Sequence, residues 1–342
     1  MSGNLLADVF SSDIFSTISL TEAINKLPRK HSVLGDMGIF QTESITGIVA
    51  MVEENNGKLS LVQSASRGTR VSEQTRTKRK ARPFSVPHLP QFDSIRADEL
   101  LGIRDFGSVD SLKTVAKVMN DRQQQMKDDM EITKEYQRCG AIQGLVKDAD
   151  GTTIYDFFDE FGITEEEFVF DFVSATPTVK FKTRCQEVLR KIQLSLGATR
   201  FTKVVAICGD TFWDAMIVAP EVEKIYLNWD SQFLQTLQND VQNPSARMFP
   251  FGGIHWMNYT GAIGSESMIP TDVCRFVVQG AGDVYKEIYA PANFVETVNT
   301  PGLPFYSKQE RQPFDMGIDL HSQSNPLIMP TRPAVLKKGI LD

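Results

Sequence analysis

Over residues 1–35 short apolar groups alternate with turn formers: Leu5, Leu6, Val9, Phe10, Ile14, Phe15 and Ile18 precede Pro28 and Arg29. These groups are too many for a free tail and too broken for a self-sufficient domain, so the segment reads as an arm laid on another surface. A helix packed on its own domain is the alternative. Two β-rich runs follow at 45–52 and 59–62, and Asn56-Gly57 between them predicts a tight hairpin. From 109 to 138 the period becomes helical, with Leu112, Val115, Met119, Met126 and Met130 on one stripe and the polar residues 121–125 assigned to the opposite face. No proline interrupts the stretch, and a helix of that length spans ~45 Å, long enough to act as a spine.

The turn Asp148-Ala149-Asp150-Gly151 lies between Leu145, Val146 and Ile154, Tyr155, which predicts a second hairpin. Thr176-Pro177 then opens a helix whose stripe is Phe181, Cys185, Val188, Leu189, Ile192 and Leu196, and Gly197 ends it. A buried strand at 201–208, a short helix at 211–218 and strands near 254–259, 275–278 and 284–289 make 198–290 a compact α/β lobe. From Pro291 the chain is turn-rich and punctuated by proline.

Charge adds a feature that periodicity does not. Residues 67–82 carry Arg67, Arg70, Arg76, Lys78, Arg79, Lys80 and Arg82 against the single acid Glu73, as in a long, solvated, basic hairpin or loop. Residues 148–172 hold nine acids, among them Glu165, Glu166 and Glu167, and no Lys or Arg. The two blocks are complementary in charge, and attraction between them acts at long range. The net charge of −7 opposes a general role in coating nucleic acid. No apolar run approaches the roughly 18 residues of a membrane span. Asp8 and Asp13 stand where a signal peptide avoids acids, so the chain is expected in the cytosol where it is made.

Catalytic constellations do not emerge. Cys139, Cys185, Cys208 and Cys274 are scattered singly, and His31, His88, His255 and His321 have no metal-ligand spacing. Asp148 and Asp150 lack the remaining ligands of a calcium loop, and Gly280-Ala281-Gly282 lacks the third glycine of a dinucleotide fingerprint; both read as turns. Asp210 and Asp214 have the spacing of any solvated helix face. No catalytic residue, cofactor or metal is therefore expected.

Several stretches resemble the lambda-type phage major capsid protein E family. They are Cys208-Gly209-Asp210-Thr211-Phe212-Trp213-Asp214, Phe251-Gly252-Gly253-Ile254, and above all the run from Ala290 through Asn293-Phe294-Val295-Glu296-Thr297 to Pro301-Gly302. Pro304-Phe305-Tyr306-Ser307-Lys308 and Gln323-Ser324-Asn325-Pro326-Leu327 follow at family-like spacing. The resemblance covers roughly 30–340 and implies an α+β Hong Kong 97-like capsid fold. Its parts would be an N-terminal arm at 1–35, an extended β-hairpin loop at 36–98, a peripheral domain with spine helix at 99–197, an axial domain at 198–290, and a return strand and C-terminal segment at 291–342.

The same resemblance implies a tailed-phage head protein that self-assembles into pentamers and hexamers around double-stranded DNA. It makes the virion the final location and the host cytoplasm the place of assembly. Expected partners are the chain itself, a separate scaffolding protein, a portal and a decoration protein, with no membrane and no sequence-specific DNA contact. Leu5, Leu6, Phe10 and Phe15 of the arm, with the basic block and Glu165–Glu167, are the expected subunit contacts. An encapsulin-like compartment carrying an enzyme cargo, and a soluble α/β enzyme, are the alternatives.

Overall fold

The computed structural model describes residues 17–27, 32–54, 80–96, 99, 111–172, 174, 179–223, 248–263 and 266–342. The chain opens on α1, Thr17–Lys26, which buries Leu20, Thr21 and Ile24 against its own molecule. Asn25 donates to the Phe305 carbonyl at 2.9 Å, and Thr21 and Ser307 bond each other. For residues 17–27 the structure therefore follows the alternative of a helix on its own domain. Leu5, Leu6, Phe10 and Phe15 lie outside the described residues. Ser32 caps α2, Val33–Asp36, and its hydroxyl accepts from the Gly35 N–H.

β1, Gln41–Ser44, precedes β2, Val49–Glu54. The antiparallel partner of β2 is β3, Lys80–Ser85, with Val49 opposite Ser85 and Glu54 opposite Lys80. The strand at 49–54 pairs with 80–85, so Lys80 and Arg82 are strand residues; the Asn56-Gly57 turn and the run at 59–62 lie outside the described residues. The rest of the basic block, Arg67, Arg70, Arg76, Lys78 and Arg79, lies outside the described residues. Phe84, 2 % exposed, packs under Ala50 and Val52. β4, Leu89–Arg96, comes next.

The spine is α3, Ser111–Gln143, about 50 Å long at 1.5 Å per residue. Met119, Met126 and Met130 face inward as predicted. The polar residues, however, do not all occupy the other face: Gln123, Lys127, Glu131, Lys134, Glu135, Gln137 and Arg138 are buried as well. β5, Leu145–Lys147, and β6, Thr153–Asp156, form the predicted hairpin, whose turn ends at Gly151 with φ 84°. Asp150 accepts from the Thr152 N–H at 2.9 Å. Asp156 then caps α4, Phe157–Phe161, and β7, Glu166–Phe170, follows.

α5, Phe181–Leu196, buries the predicted stripe except for the half-buried Leu189 and ends at Gly197, whose φ of 61° is costly for any other residue. Its first turn begins at Phe181, and Thr176-Pro177 lies outside the described residues. β8, Lys203–Cys208, is buried on both faces, which explains its unbroken apolar run. α6, Asp210–Val218, precedes β9, Met248–Phe251, β10, Ile254–Asn258, the small pair β11, Ala262–Ile263, and β12, Glu266–Ser267, and then β13, Val273–Gln279, and β14, Tyr285–Tyr289. The last strands are β15, Tyr306–Arg311, β16, Gly317–Ser324, β17, Pro326–Pro330, and β18, Lys337–Leu341.

Three sheets organise the molecule. The largest runs β7-β18-β13-β8-β10-β9, so the lobe expected from 198–290 draws two strands from beyond that range, 166–170 and 337–341. An aromatic cluster fills it, with Phe181 stacked on Phe251 at 4.4 Å and Phe170 edge-on to Phe212 at 5.6 Å. The second sheet is β1-β14-β17 and the third β15-β16-β4, and α3 lies along elements of both. On the third sheet Ile95 and Leu320 point inward to Ile24, Met119 and Met126, while Phe92, His321 and Lys308 share the outer face. All four cysteines are free and buried. Burial pushes the thiols of Cys139, Cys185 and Cys274 well above the ordinary range, which disfavours the nucleophilic thiolate.

Candidate functional site

The chemically densest place in the molecule is where α3 crosses the second sheet. Lys127, Glu131, Lys134, Glu135 and Arg138 follow one another at spacings of four, three, one and three, so they continue the methionine stripe of the spine. Arg138 forms a two-pronged bond to Glu287 of β14 at 2.9 and 3.2 Å, with side chains 3 % and 7 % exposed. Its other amino group reaches Ser32 Oγ at 3.1 Å and Glu135 at 3.4 Å. Glu135 also accepts from the Leu34 N–H at 2.8 Å, from Ser32 and from Tyr259. Glu287 accepts from the Tyr289 hydroxyl. One carboxylate–guanidinium set thus ties the segment before α2, the spine and the second sheet together.

The electrostatics are those of a closed ion cluster. Burial works against the charge on Arg138, but Glu287 and Glu135 override it and hold the guanidinium more firmly protonated. Burial likewise opposes ionisation of Glu287, and Arg138 and Lys134 reverse this, so its carboxyl sits below the usual range. Burial pulls the Lys134 ammonium down to about 8, partly offset by Glu131 at 3.2 Å. That ammonium also lies 3.9 Å from the centre of the Phe305 ring. Lys127 donates to the carbonyls of Ile24 and Leu27 at 2.9 and 2.8 Å and so closes the C-terminal end of α1. A cleft of about 290 Å³ opens beside these groups, lined by Asn25, Phe40, Thr42 and Phe305. The acids and bases satisfy one another across it, as befits a joint between chain segments.

The sequence-predicted interface residues are distributed as follows. Glu165 pairs with Arg275 of β13. Glu166 meets Lys337 at 2.9 Å and Lys191 at 3.5 Å, and Glu167 meets Lys338 at 2.8 Å. The bond from Lys337 holds the Glu166 carboxyl below its ordinary range. These pairs follow from the parallel register of β7 and β18, which sets Glu166 opposite Lys337 and Glu167 opposite Lys338. On β3, Arg82 donates to the Glu160 carbonyl and lies 5.0 Å over the Phe161 ring. Phe84 is edge-on to Tyr155 at 5.5 Å. The two hairpins are therefore joined at their roots within one chain.

Among the described residues no group of three or more His, Cys, Asp and Glu could hold a metal ion, and no helix is long and apolar enough to cross a membrane. The sequence reading missed the ion cluster because charged side chains default to solvent. Its signal was the continuation of the inward stripe through Lys127, Glu131, Lys134 and Arg138.

A long spine helix over one mixed and one antiparallel sheet, a two-stranded β2–β3 pair and a six-stranded α/β lobe define a Hong Kong 97-like capsid subunit. The family model for phage major capsid protein E matches residues 16–341, and the chain belongs to that family. The major capsid protein of Pseudomonas phage KPP10 is 26 % identical over 340 residues, covering 95 % of this chain and 96 % of that protein. The major capsid protein of Salmonella phage Felix O1 is 22 % identical over 350 residues, at 94 % and 95 %. Among solved structures, a prophage capsid protein from E. coli CFT073 superposes with a TM-score of 0.56 at 14 % identity, covering 96 % of this chain and 99 % of that one. The mature capsid of bacteriophage PhiM1 gives 0.50 at 8 %, covering 92 % and 89 %. The chain is a capsid structural protein.

Proposed function

We propose that copies of this chain form the pentamers and hexamers of an icosahedral shell enclosing double-stranded DNA, assembled in the host cytoplasm and carried in the virion. The observation that carries this is the family match over nearly the whole chain, joined to a fold whose hairpin root is anchored while its connection, 55–79, holds most of the basic block. The net charge of −7 suits a wall that must not adhere to the genome it surrounds. The chain's partners are further copies of itself, a scaffolding protein, a portal and a decoration protein. The arm, through Leu5, Leu6, Phe10 and Phe15, and the basic block lie over neighbouring subunits. With Glu165, Glu166 and Glu167 already engaged inside their own chain, the acids open to a neighbour's basic block are Asp150, Asp159 and Glu160, which are exposed.

Electron microscopy of the purified protein, alone and co-expressed with its neighbouring genes, tests the reading. Closed shells are expected. Uniform small particles under every condition would refute it, and shells filled with a cargo enzyme in place of DNA would favour the compartment alternative.

A further inference from the structure

We propose that Phe314, at the tip of the β15–β16 hairpin, is a knob that seats in an aromatic hollow on the same sheet of a second copy. The inference rests on the shell reading and names one of its contacts. Phe314 is 95 % exposed, and Met316 beside it is 64 % exposed. Its backbone is left-handed, at φ 63° and ψ 19°. Apart from glycines, only Asn299 shares that sign of φ among the described residues, and asparagine tolerates it where a bulky aromatic does not. The turn is held shut by the Gln312 N–H bonding the Gly317 carbonyl at 3.0 Å and by the Gln312 side chain bonding Asp319 at 2.6 Å. A hairpin that keeps a large ring in a strained conformation and points it at solvent is built to present that ring.

The receptor lies further along the same strands. A hollow of about 900 Å³ on the outer sheet face is lined by Phe92, Phe294, His321, Lys308, Glu310 and Asp319, among others. Phe92 is 75 % exposed and stacks on His321 at 4.1 Å, and Phe294 stands edge-on to the same imidazole at 5.4 Å. The tip's Gln312 touches only the near rim of its own hollow, at Asp319; the aromatic floor at His321 is four residues beyond Gly317, roughly 14 Å along the strand, and Phe314, 95 % exposed, is not seated there.

Charge favours a copy of the chain as the occupant. The hollow has exposed Glu310 and Asp319 against Lys308, which is itself bonded to Glu296 at 2.8 Å, while its Asp93 is paired with Arg122 at 3.5 Å. The tip is flanked by exposed Arg96, opposite Gly317. A cation beside the knob thus meets the acids at the rim of the hollow. A knob on one patch and a hollow on another make a head-to-tail contact, which closes into a ring when the rotation allows. An aromatic side chain covers only about 150–250 Å², far below the roughly 1,200 Å² of a stable interface. The contact therefore forms in the shell and does not hold an isolated dimer.

Shells carrying both Phe314→Cys and Phe92→Cys are oxidised and run on non-reducing gels beside each single variant; the four native cysteines are buried and do not interfere. Covalent multimers are expected from the double variant in shells, and not from unassembled subunits or from either single variant. Phe314→Gly is the second arm. The unassembled subunit should melt no lower than wild type, since glycine accepts the left-handed backbone, while shells lose yield or heat stability, and Phe92→Ser should show the same shell defect. Normal shells from Phe314→Gly, or normal shells of the double-cysteine variant without crosslinks, overturn the proposal and leave the shell reading standing. If wild-type protein forms no shells at all, the shell reading falls and the proposal with it.

Discussion

Replacing Arg138 by methionine removes one charge from a set that is otherwise balanced. Lys127, Lys134 and Arg138 face Glu131, Glu135 and Glu287, all buried, so the cluster is formally neutral. The single substitution strands Glu287 without its two-pronged partner and deprives Ser32 and Glu135 of a donor. Breaking one side of a buried pair costs about 3–5 kcal/mol, because the remaining charge stays desolvated. Glu287→Met should cost a similar amount by stranding the guanidinium. The double variant Arg138→Met/Glu287→Met restores neutrality and fills the site with apolar volume, so its cost should be smaller than either single one. A coupling of at least about 3 kcal/mol is expected. Urea unfolding of the unassembled subunit, followed by tryptophan fluorescence, measures all four corners, since Trp256 and Trp213 lie in the core of the large sheet. A single substitution costing under about 1 kcal/mol, or a double one costing the sum of the two, would refute the cluster as a joint between segments.

Four further outcomes follow from named residues. The folded Lys134 ammonium titrates at about 8 against 10.5 in the unfolded chain; between those values the unfolded state binds the extra proton, so this group's contribution to stability rises with pH across that window. Lys134→Met should abolish that part of the rise in melting temperature. Reversing Arg76, Lys78 and Arg79 to glutamate should slow assembly seen by light scattering without lowering subunit stability, and added salt should weaken the same step in wild type. Gly302→Ala should destabilise the subunit by about 1–3 kcal/mol, read as a lower melting temperature, because a Cβ there collides with the backbone of Tyr289 and Ala290. Deleting residues 1–16, which spares α1, should leave soluble subunits that fail to form stable shells in electron micrographs.

Where the sequence could be read, the information was local. The stripes of α3 and α5, the stop at Gly197, the turn at Gly151 and the apolar run of β8 each depend on neighbours within a few residues. What could not be read depends on partners far away. β2 pairs with a strand that begins 26 residues beyond its own end, at Lys80. β7 finds β18 across more than 160 residues, and that pairing turns Glu165–Glu167 from an open acidic face into in-chain ion pairs. The ion cluster escaped for a related reason: a charged residue on a helix is read as solvated until the strand that covers it, here β14 with Glu287, is known. Phe314 was invisible because nothing in a Pro-Phe-Asp tripeptide announces a left-handed aromatic.

The position of β18 also bears on when this protein can fold. That strand is an interior member of the six-stranded sheet, parallel to β7 on one side and antiparallel to β13 on the other. A ribosome must therefore have polymerised the chain through Leu341, and released that stretch from its exit tunnel, before β7 can join the sheet at all. Nascent chains that have not yet released β18 hold an incomplete sheet with an open edge on β13. Emergence of β18 thus acts as a clock, keeping half-made copies out of a structure in which each member must fit its neighbours.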